Sequence, residues 1–255
     1  MGRRNWLIGA AAVVTLLTAA ERRQYQFAVE YFTFTSTGAF LQKTRIVADY
    51  SAGEPGDDVR WTHVRLAHGA SLTGPFDPDE PQAYMEGFAY APAHERMVLP
   101  EFFKGFPATA TQAKNLVWDT VMLETFAHDL NHVKAAAPAP YHVPSWSVPL
   151  AGSGVFTNTD IQLTWLGIVD RNNRECILVH YDAFFNTVDH ELPGIRLVGR
   201  SDYWGDIWVA LSTGDIEYAT LSEEVVGELR LTPPSAPREI NVVRKGTFER
   251  VSNAK

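Results

Sequence analysis

The sequence predicts a mainly β protein (α+β), a single curved antiparallel sheet or half-barrel packed on one long helix. Three observations lead to this fold class. Over most of the chain, apolar and polar residues alternate with a period of two, the pattern of half-buried strands. Short turn sequences separate consecutive strands, which favours antiparallel pairing. Only the segment from residue 111 to about residue 133 has the composition of a long helix.

The first predicted strand covers residues 25–31, where Tyr25, Phe27 and Val29 share one face and Gln26 and Ala28 share the other. A turn at Ser-Thr-Gly, residues 36–38, leads into a second strand over residues 40–50. A third strand follows over residues 59–66. These three segments therefore predict an antiparallel meander at the N-terminal end of the domain.

The alternation resumes near residue 160 and continues almost to the C-terminus. An Arg-Asn-Asn-Arg sequence predicts a hairpin turn before the clearest strand, in which Ile177, Val179, Tyr181, Ala183 and Phe185 are expected on one face. The further predicted strands cover residues 161–165, 207–211, 216–231 and 240–251.

The helical segment is rich in Ala, Leu, Met and Glu, and it ends before the Ala-Pro-Ala-Pro sequence at residues 137–140. At 100° per residue, its apolar stripe is expected to pack on the sheet. Glu124, His128 and His132 fall on a polar arc that we expect to be solvated. No stretch combines linker composition with a change of charge, so residues 21–255 are predicted to form one β-rich domain.

The N-terminal residues have the pattern of a secretory signal peptide. Arg3 and Arg4 precede a fifteen-residue apolar run that ends in Thr-Ala-Ala at residues 18–20. Residues 1–20 are therefore predicted to be a signal peptide, general or twin-arginine in type, and the mature chain is expected to begin near Glu21. The sequence thus predicts export, to the periplasm or the outside of the cell.

Composition excludes several classes of function. Without residues 1–20, which contain two arginines and no acidic residue, 20 basic side chains face 30 acidic ones, so nucleic-acid binding is not expected. No second apolar run reaches transmembrane length, and Cys176 is the only cysteine, which excludes an intrachain disulfide. Phosphate-binding glycine motifs are absent, so we predict no cofactor. Composition does not set an oligomeric state.

One motif on the predicted helix suggests metal chemistry. His128 and His132 are four residues apart, a spacing at which two histidines can share a zinc ion. The sequence from His128 to His132 resembles the H-E-x-x-H signature of zinc metalloproteases, but Asp129 stands where that family has its general-base glutamate. The resemblance implies His128 and His132 as zinc ligands, Asp129 as the base, and Glu124 or His142 as a third ligand. A solvated helix face explains the same residues without a metal, and we favour it.

Two strand segments contain candidate ligand-binding residues. His180 and Asp182 share one strand face, where they form an oriented base, half of a metal site, or a polar pair on the wetter face of the sheet, the interpretation we favour. Residues 199–208 mix aromatic and charged side chains, as at the mouth of a ligand site; a structural Arg–Asp ion pair is the alternative. The candidates in this second segment are Arg200, Asp202, Tyr203, Trp204 and Trp208.

The function we predict is a non-catalytic binding or carrier module for an apolar or amphipathic ligand. Several strands carry apolar residues on both faces, so one face can pack on the helix while the other faces a cavity. In architecture this is similar to the half-barrels of bacterial periplasmic lipoprotein carriers. The alternatives are a metal-dependent hydrolase that uses His128 and His132, and an envelope protein-interaction module.

Overall fold

The computed structural model describes residues 22–53, 58–232 and 236–251, whose strands pair into one sheet. The predicted signal peptide, residues 1–20, lies outside the described residues. The strands are β1 (Arg23–Thr35), β2 (Phe40–Ala52), β3 (Val59–Gly69), β4 (Glu80–Pro81), β5 (Ala89–Tyr90), β6 (Tyr141–Val143), β7 (Trp146–Pro149), β8 (Gly154–Asn158), β9 (Asp160–Arg171), β10 (Arg174–Leu192), β11 (Ile195–Ala210), β12 (Ile216–Leu231) and β13 (Arg238–Arg250). The helices are α1 (His94–Met97), α2 (Thr111–His128) and α3 (Leu130–Ala136).

The sheet has the strand order β4-β3-β2-β1-β13-β12-β11-β10, and β8 and β9 share the far edge of β10. β7 extends β8, β6 extends β9, and β5 pairs with β3. All these pairings are antiparallel, and over the described residues the sheet is not closed. The prediction of a mainly β protein with an antiparallel sheet is therefore confirmed.

The hairpin turn predicted between β9 and β10 is present. Asn172 and Asn173 have φ of 51° and 61°, the left-handed conformation that a two-residue type I′ turn requires. Asparagine tolerates this conformation better than most residues, because its short polar side chain hydrogen-bonds locally. The turn sets the register of β9 against β10 as far as Leu178, after which the pairing shifts by one residue.

The predicted helix is divided into two in the structure. α2 ends at His128 and α3 begins at Leu130, so the helical path breaks at Asp129. The N–H of Asp129 donates to the carbonyl oxygens of Thr125 and Phe126, each at 3.3 Å. The N–H of His132 donates a 2.9 Å hydrogen bond to the Asp129 carbonyl oxygen, which begins the first turn of α3. Among the described residues, no helix is both long enough and apolar enough to span a membrane.

The hydrophobic core lies between one half of the sheet and α2. Its largest fully buried side chains include Phe27, Tyr50, Trp61 and Phe126, and the rings of Phe126 and Tyr181 lie 5.3 Å apart. Glu124, expected on a solvated arc, instead points towards the sheet, where its Oε1 accepts a 2.9 Å hydrogen bond from the Tyr50 hydroxyl. The side of the helix that meets the sheet is therefore not purely apolar.

A bulge in β10 changes which residues face inward. Phe185 has φ of 59°, and the pairing of β10 with β11 shifts between Ala183 and Asn186. Phe185 is consequently 62% exposed, whereas Ile177 is 8% exposed. The prediction that these two residues share a face is wrong, because the alternation reverses at the bulge.

Candidate ligand-binding cavity

A cavity of about 1390 Å³ lies between the inner face of the sheet and α2. Its walls include inward residues of β1, β2, β7, β8 and β10 to β13, so one face of the sheet lines it. The cavity is larger than the ~300–1,000 Å³ usual for sites that hold drug-sized ligands. It therefore has room for a long ligand.

A row of polar side chains crosses the inner face of the sheet, and we call it the polar belt. Tyr31 is the register partner of both Thr44 and Arg244. Arg244 pairs in turn with Glu223, and Glu223 with Tyr203. The Tyr203 hydroxyl donates a 2.7 Å hydrogen bond to Oδ1 of Asn158. The polar belt thus consists of Thr44, Tyr31, Arg244, Glu223, Tyr203 and Asn158, none more than 7% exposed.

Arg244 is the electrostatic centre of the belt. Its guanidinium forms ion pairs with Glu223 on β12 and with Asp119 on α2, and all three side chains are buried. Ser201 donates a 2.6 Å hydrogen bond to Oε1 of Glu223. Burial raises the pKa of Asp119 to about 6, although the charge of Arg244 opposes this shift. The cluster ties α2 to the sheet and carries more carboxylates than guanidinium groups.

The inner face is buried on one side of the belt and partly exposed on the other. Towards the core, Val29, Leu221 and Phe248 are at most 3% exposed, although Leu221 and Phe248 also line the cavity. In the opposite direction several inward residues are apolar, remain partly exposed and line the cavity. We call this surface the apolar trough; it comprises Val188, Leu197, Val225, Leu229, Ile240 and Val242.

The predicted ligand-binding residues divide between the two faces of the sheet. Tyr203 lies on the inner face, in the polar belt, and lines the cavity. Strand alternation and register place the others on the outer face. Those outer residues are His180, Asp182, Arg200, Asp202, Trp204 and Trp208.

The outer-face candidates contact one another and their neighbours. Nδ1 of His180 lies 2.8 Å from Asp206 Oδ1, and its Nε2 lies 3.3 Å from Asp182 Oδ1. Arg200 and Asp202 form an ion pair at 3.3 Å. The rings of Trp208 and Tyr218 meet edge to face, with centres 5.2 Å apart. These contacts supply the structural pairs that the sequence offered as the alternative; ligand binding at these residues stays a prediction.

The three residues of the predicted metal site have separate partners. Glu124 bonds to Tyr50, and burial raises the pKa of this carboxyl group. Nδ1 of His128 lies 2.6 Å from the Glu124 backbone oxygen, while the His132 ring stacks on Tyr141 with centres 5.2 Å apart. In the part of the chain that the structure describes, no three His, Cys, Asp or Glu residues form a group suited to a metal ion.

Sequence reasoning singled out Glu124 and His128, which line the cavity, but it did not identify several other charged residues there. Arg244, Asp119, Lys114 and His190 all line it. For Arg244 a signal was present, because this arginine occupies an inward position of β13 between Val242 and Gly246. Asp119 gave no such signal, since only folding brings α2 against β13.

Comparison with known proteins finds neither a matching family model nor a matching curated protein. Among solved structures, lipovitellin, studied for its lipid–protein interactions, aligns with a TM-score of 0.41 and 10% identity over 90% of this chain. The chain spans 25% of the length of that lipovitellin chain. A DUF1329 family protein from Desulfovibrio piger aligns with a TM-score of 0.17 and 6% identity. This alignment covers 92% of the present chain and 88% of the Desulfovibrio piger chain.

Proposed function

We propose that this chain is an exported, non-catalytic binding or carrier protein that holds an apolar or amphipathic ligand in the cavity. The observation that carries the proposal is the apolar trough: its side chains point inward, yet they remain partly exposed beside a space of about 1390 Å³. Apolar residues on an inner face are normally covered by protein. A bound apolar chain would provide that cover.

The energetics favour a long ligand over a small one. Each 100 Å² of apolar surface removed from water contributes about 2.5 kcal/mol. Association itself costs about 4–15 kcal/mol, so several hundred Å² must be covered before binding is favourable. A chain that extends along the trough, from β10 to β13, supplies such an area.

The export half of the proposal depends on the pattern at residues 1–20. Arg3, Arg4 and the following apolar run are typical of a cleaved signal peptide. Protein recovered from its native source should therefore begin near Glu21. Retention of Met1 on that protein would contradict export by this route.

The binding half is tested by filling the trough. Val225 lines the cavity, whereas its neighbour Val226 is 48% exposed on the outer face. We expect Val225→Trp to weaken the binding of a fluorescent long-chain hydrocarbon probe at least tenfold, because an indole occupies the space of the chain. Fluorescence titration measures the dissociation constant.

Val226→Trp is the matched control, since it adds the same side chain one residue away on the opposite face. It should leave probe affinity within about twofold of the unmodified protein, and thermal unfolding should show that both variants fold. Equal loss of affinity in the two variants, or the absence of probe binding to the unmodified protein, would contradict a ligand site in the trough.

A further inference from the structure

The charges around the cavity are unevenly distributed. At the polar belt, Asp119 and Glu223 share the single guanidinium of Arg244. Nearby on α2, Glu124 adds a further carboxyl group that lines the cavity. A negatively charged group would therefore be repelled from the belt.

Lys114 has the opposite character. It lies in the first turn of α2, lines the cavity and is half-buried. Within the described residues no carboxylate oxygen lies within 4.0 Å of its ammonium nitrogen, which instead lies 5.7 Å from the centre of the Phe103 ring. Burial lowers the pKa of Lys114, and the first turn of α2 contains no acidic residue. A partly desolvated cation without a counter-charge is stabilised by an anion.

His190 is a second basic group on the cavity wall. The bulge in β10 turns it inward, on the same face as Asn186 and Val188. Its register partner on β11 is Leu197 of the trough. Burial and then the charge of Lys114 lower the pKa of this imidazole. Its neighbour Asp189 points to the outer face, where Oδ1 accepts a 2.8 Å hydrogen bond from Nε of Arg196. Lys114 and His190 thus both line the cavity, and within the described residues neither forms an ion pair with a carboxylate.

We propose that the ligand is an amphiphile with an anionic head group, which binds Lys114 and His190 while its apolar chain lies over the trough. The two ends of the site support this orientation, since the head group meets two basic side chains and only the uncharged chain approaches the carboxylates of the belt. The inference rests on the proposed function and adds the chemical class of the head group.

The test compares two probes with the same chain, a fluorescent sixteen-carbon carboxylic acid and its methyl ester, in which a methyl group replaces the negative charge. We expect the acid to bind at least tenfold more tightly than the ester at neutral pH. Lys114→Met keeps the apolar stem and removes the charge, so it should reduce acid affinity to about that of the ester and leave ester affinity unchanged. His190→Gln should reduce the affinity for the acid alone, by a smaller factor.

Lys104→Met is the control, because Lys104 is exposed and does not line the cavity. It should change neither affinity. A third probe, inorganic phosphate at millimolar concentration, should not displace the acid; Lys114-dependent binding of phosphate alone would mean that the site binds free anions, and would overturn the proposal.

The outcomes separate this inference from the proposed function. If acid and ester bind equally well and Val225→Trp weakens both, the trough binds ligands but the anionic head group is wrong. If the ester binds more tightly, the head-group assignment is again overturned. If neither probe binds, the proposed function falls and this inference falls with it.

Discussion

At the scale of single residues, the cavity is organised by one buried cation between two carboxylates. Arg244 holds Asp119 and Glu223 at once, and the centre of the Tyr31 ring lies 5.0 Å from its Cζ. Because burial outweighs the attraction of Arg244, the pKa of Asp119 rises from 3.8 to about 6. The folded protein therefore holds a proton on Asp119 between about pH 4 and pH 6, where the unfolded chain does not.

From the raised pKa of Asp119 we predict how pH affects the stability of the Asp119→Asn variant. Ionisation of Asp119 above pH 6 destabilises the folded state relative to its protonated form, and an asparagine side chain does not ionise. The quantity to follow is the unfolding free energy of the variant minus that of the unmodified protein. As pH rises from 4.5 to 7.5, this difference should increase by on the order of 2 kcal/mol, because only the unmodified protein loses stability. Urea unfolding of both proteins at the two pH values measures the difference. A difference that stays constant with pH would show that the pKa of Asp119 is not raised.

At the scale of elements, the bulge in β10 decides which residues reach the cavity. Its extra residue reverses the alternation, so Val188 and His190 face inward although Ile177 and Tyr181 define the inner face before the bulge. Asp202, predicted as a ligand-binding residue, has a structural contact here, because its Oδ1 accepts a 2.6 Å hydrogen bond from the N–H of Phe185. A side chain on the outer face of β11 thus stabilises the bulge that turns Val188 and His190 towards the cavity.

We expect Asp202→Ala to lower the unfolding free energy by about 1–3 kcal/mol, because the bulge N–H loses a charged acceptor. Asp202→Asn keeps a side-chain oxygen at the same position and should retain most of the stability. Urea unfolding of the two variants provides the comparison. Equal losses in both would mean that the carboxylate charge, and not the hydrogen bond to Phe185, is what matters.

At the scale of the whole molecule, one face of the sheet lines the cavity from β1 to β13. Gly199 on β11 and Gly227 on β12 are register partners on the inner face. A Cβ at Gly199 would lie 2.4 Å from the Val226 carbonyl oxygen and 2.7 Å from the Gly227 Cα. The two strands approach so closely here that no side chain fits between them.

Gly199→Ala should therefore cost about 2 kcal/mol or more, because the added methyl group meets backbone atoms that cannot move without separating the two strands. Gly246→Ala is the control: its Cβ would first meet Cγ2 of Val29 at 3.2 Å, a side-chain contact that can adjust. We expect a cost below about 1 kcal/mol for the control. Thermal unfolding compares the two, and equal shifts in Tm would contradict the expectation that the close approach of β11 and β12 requires a glycine at position 199.

Much of the fold was predictable because strand alternation and turn chemistry are local. The register of β1 against β2 and the Asn172–Asn173 turn follow from residues near one another in the chain. The candidate site was less predictable. Tyr203 was identified through its aromatic surroundings, whereas Asp119 and Arg244 meet across 125 residues of sequence, a distance at which pattern gives no pairing.

The sequence by itself determined a mainly β chain with antiparallel strands, because the period of its apolar residues is set by neighbours two positions apart. It did not determine which face each strand presents to the cavity, since one extra residue at Phe185 reverses that face for the rest of β10. The polar belt, the apolar trough and the basic residues Lys114 and His190 share the cavity only once strand register and folding bring distant segments together. Tertiary structure alone therefore decided where a ligand could bind.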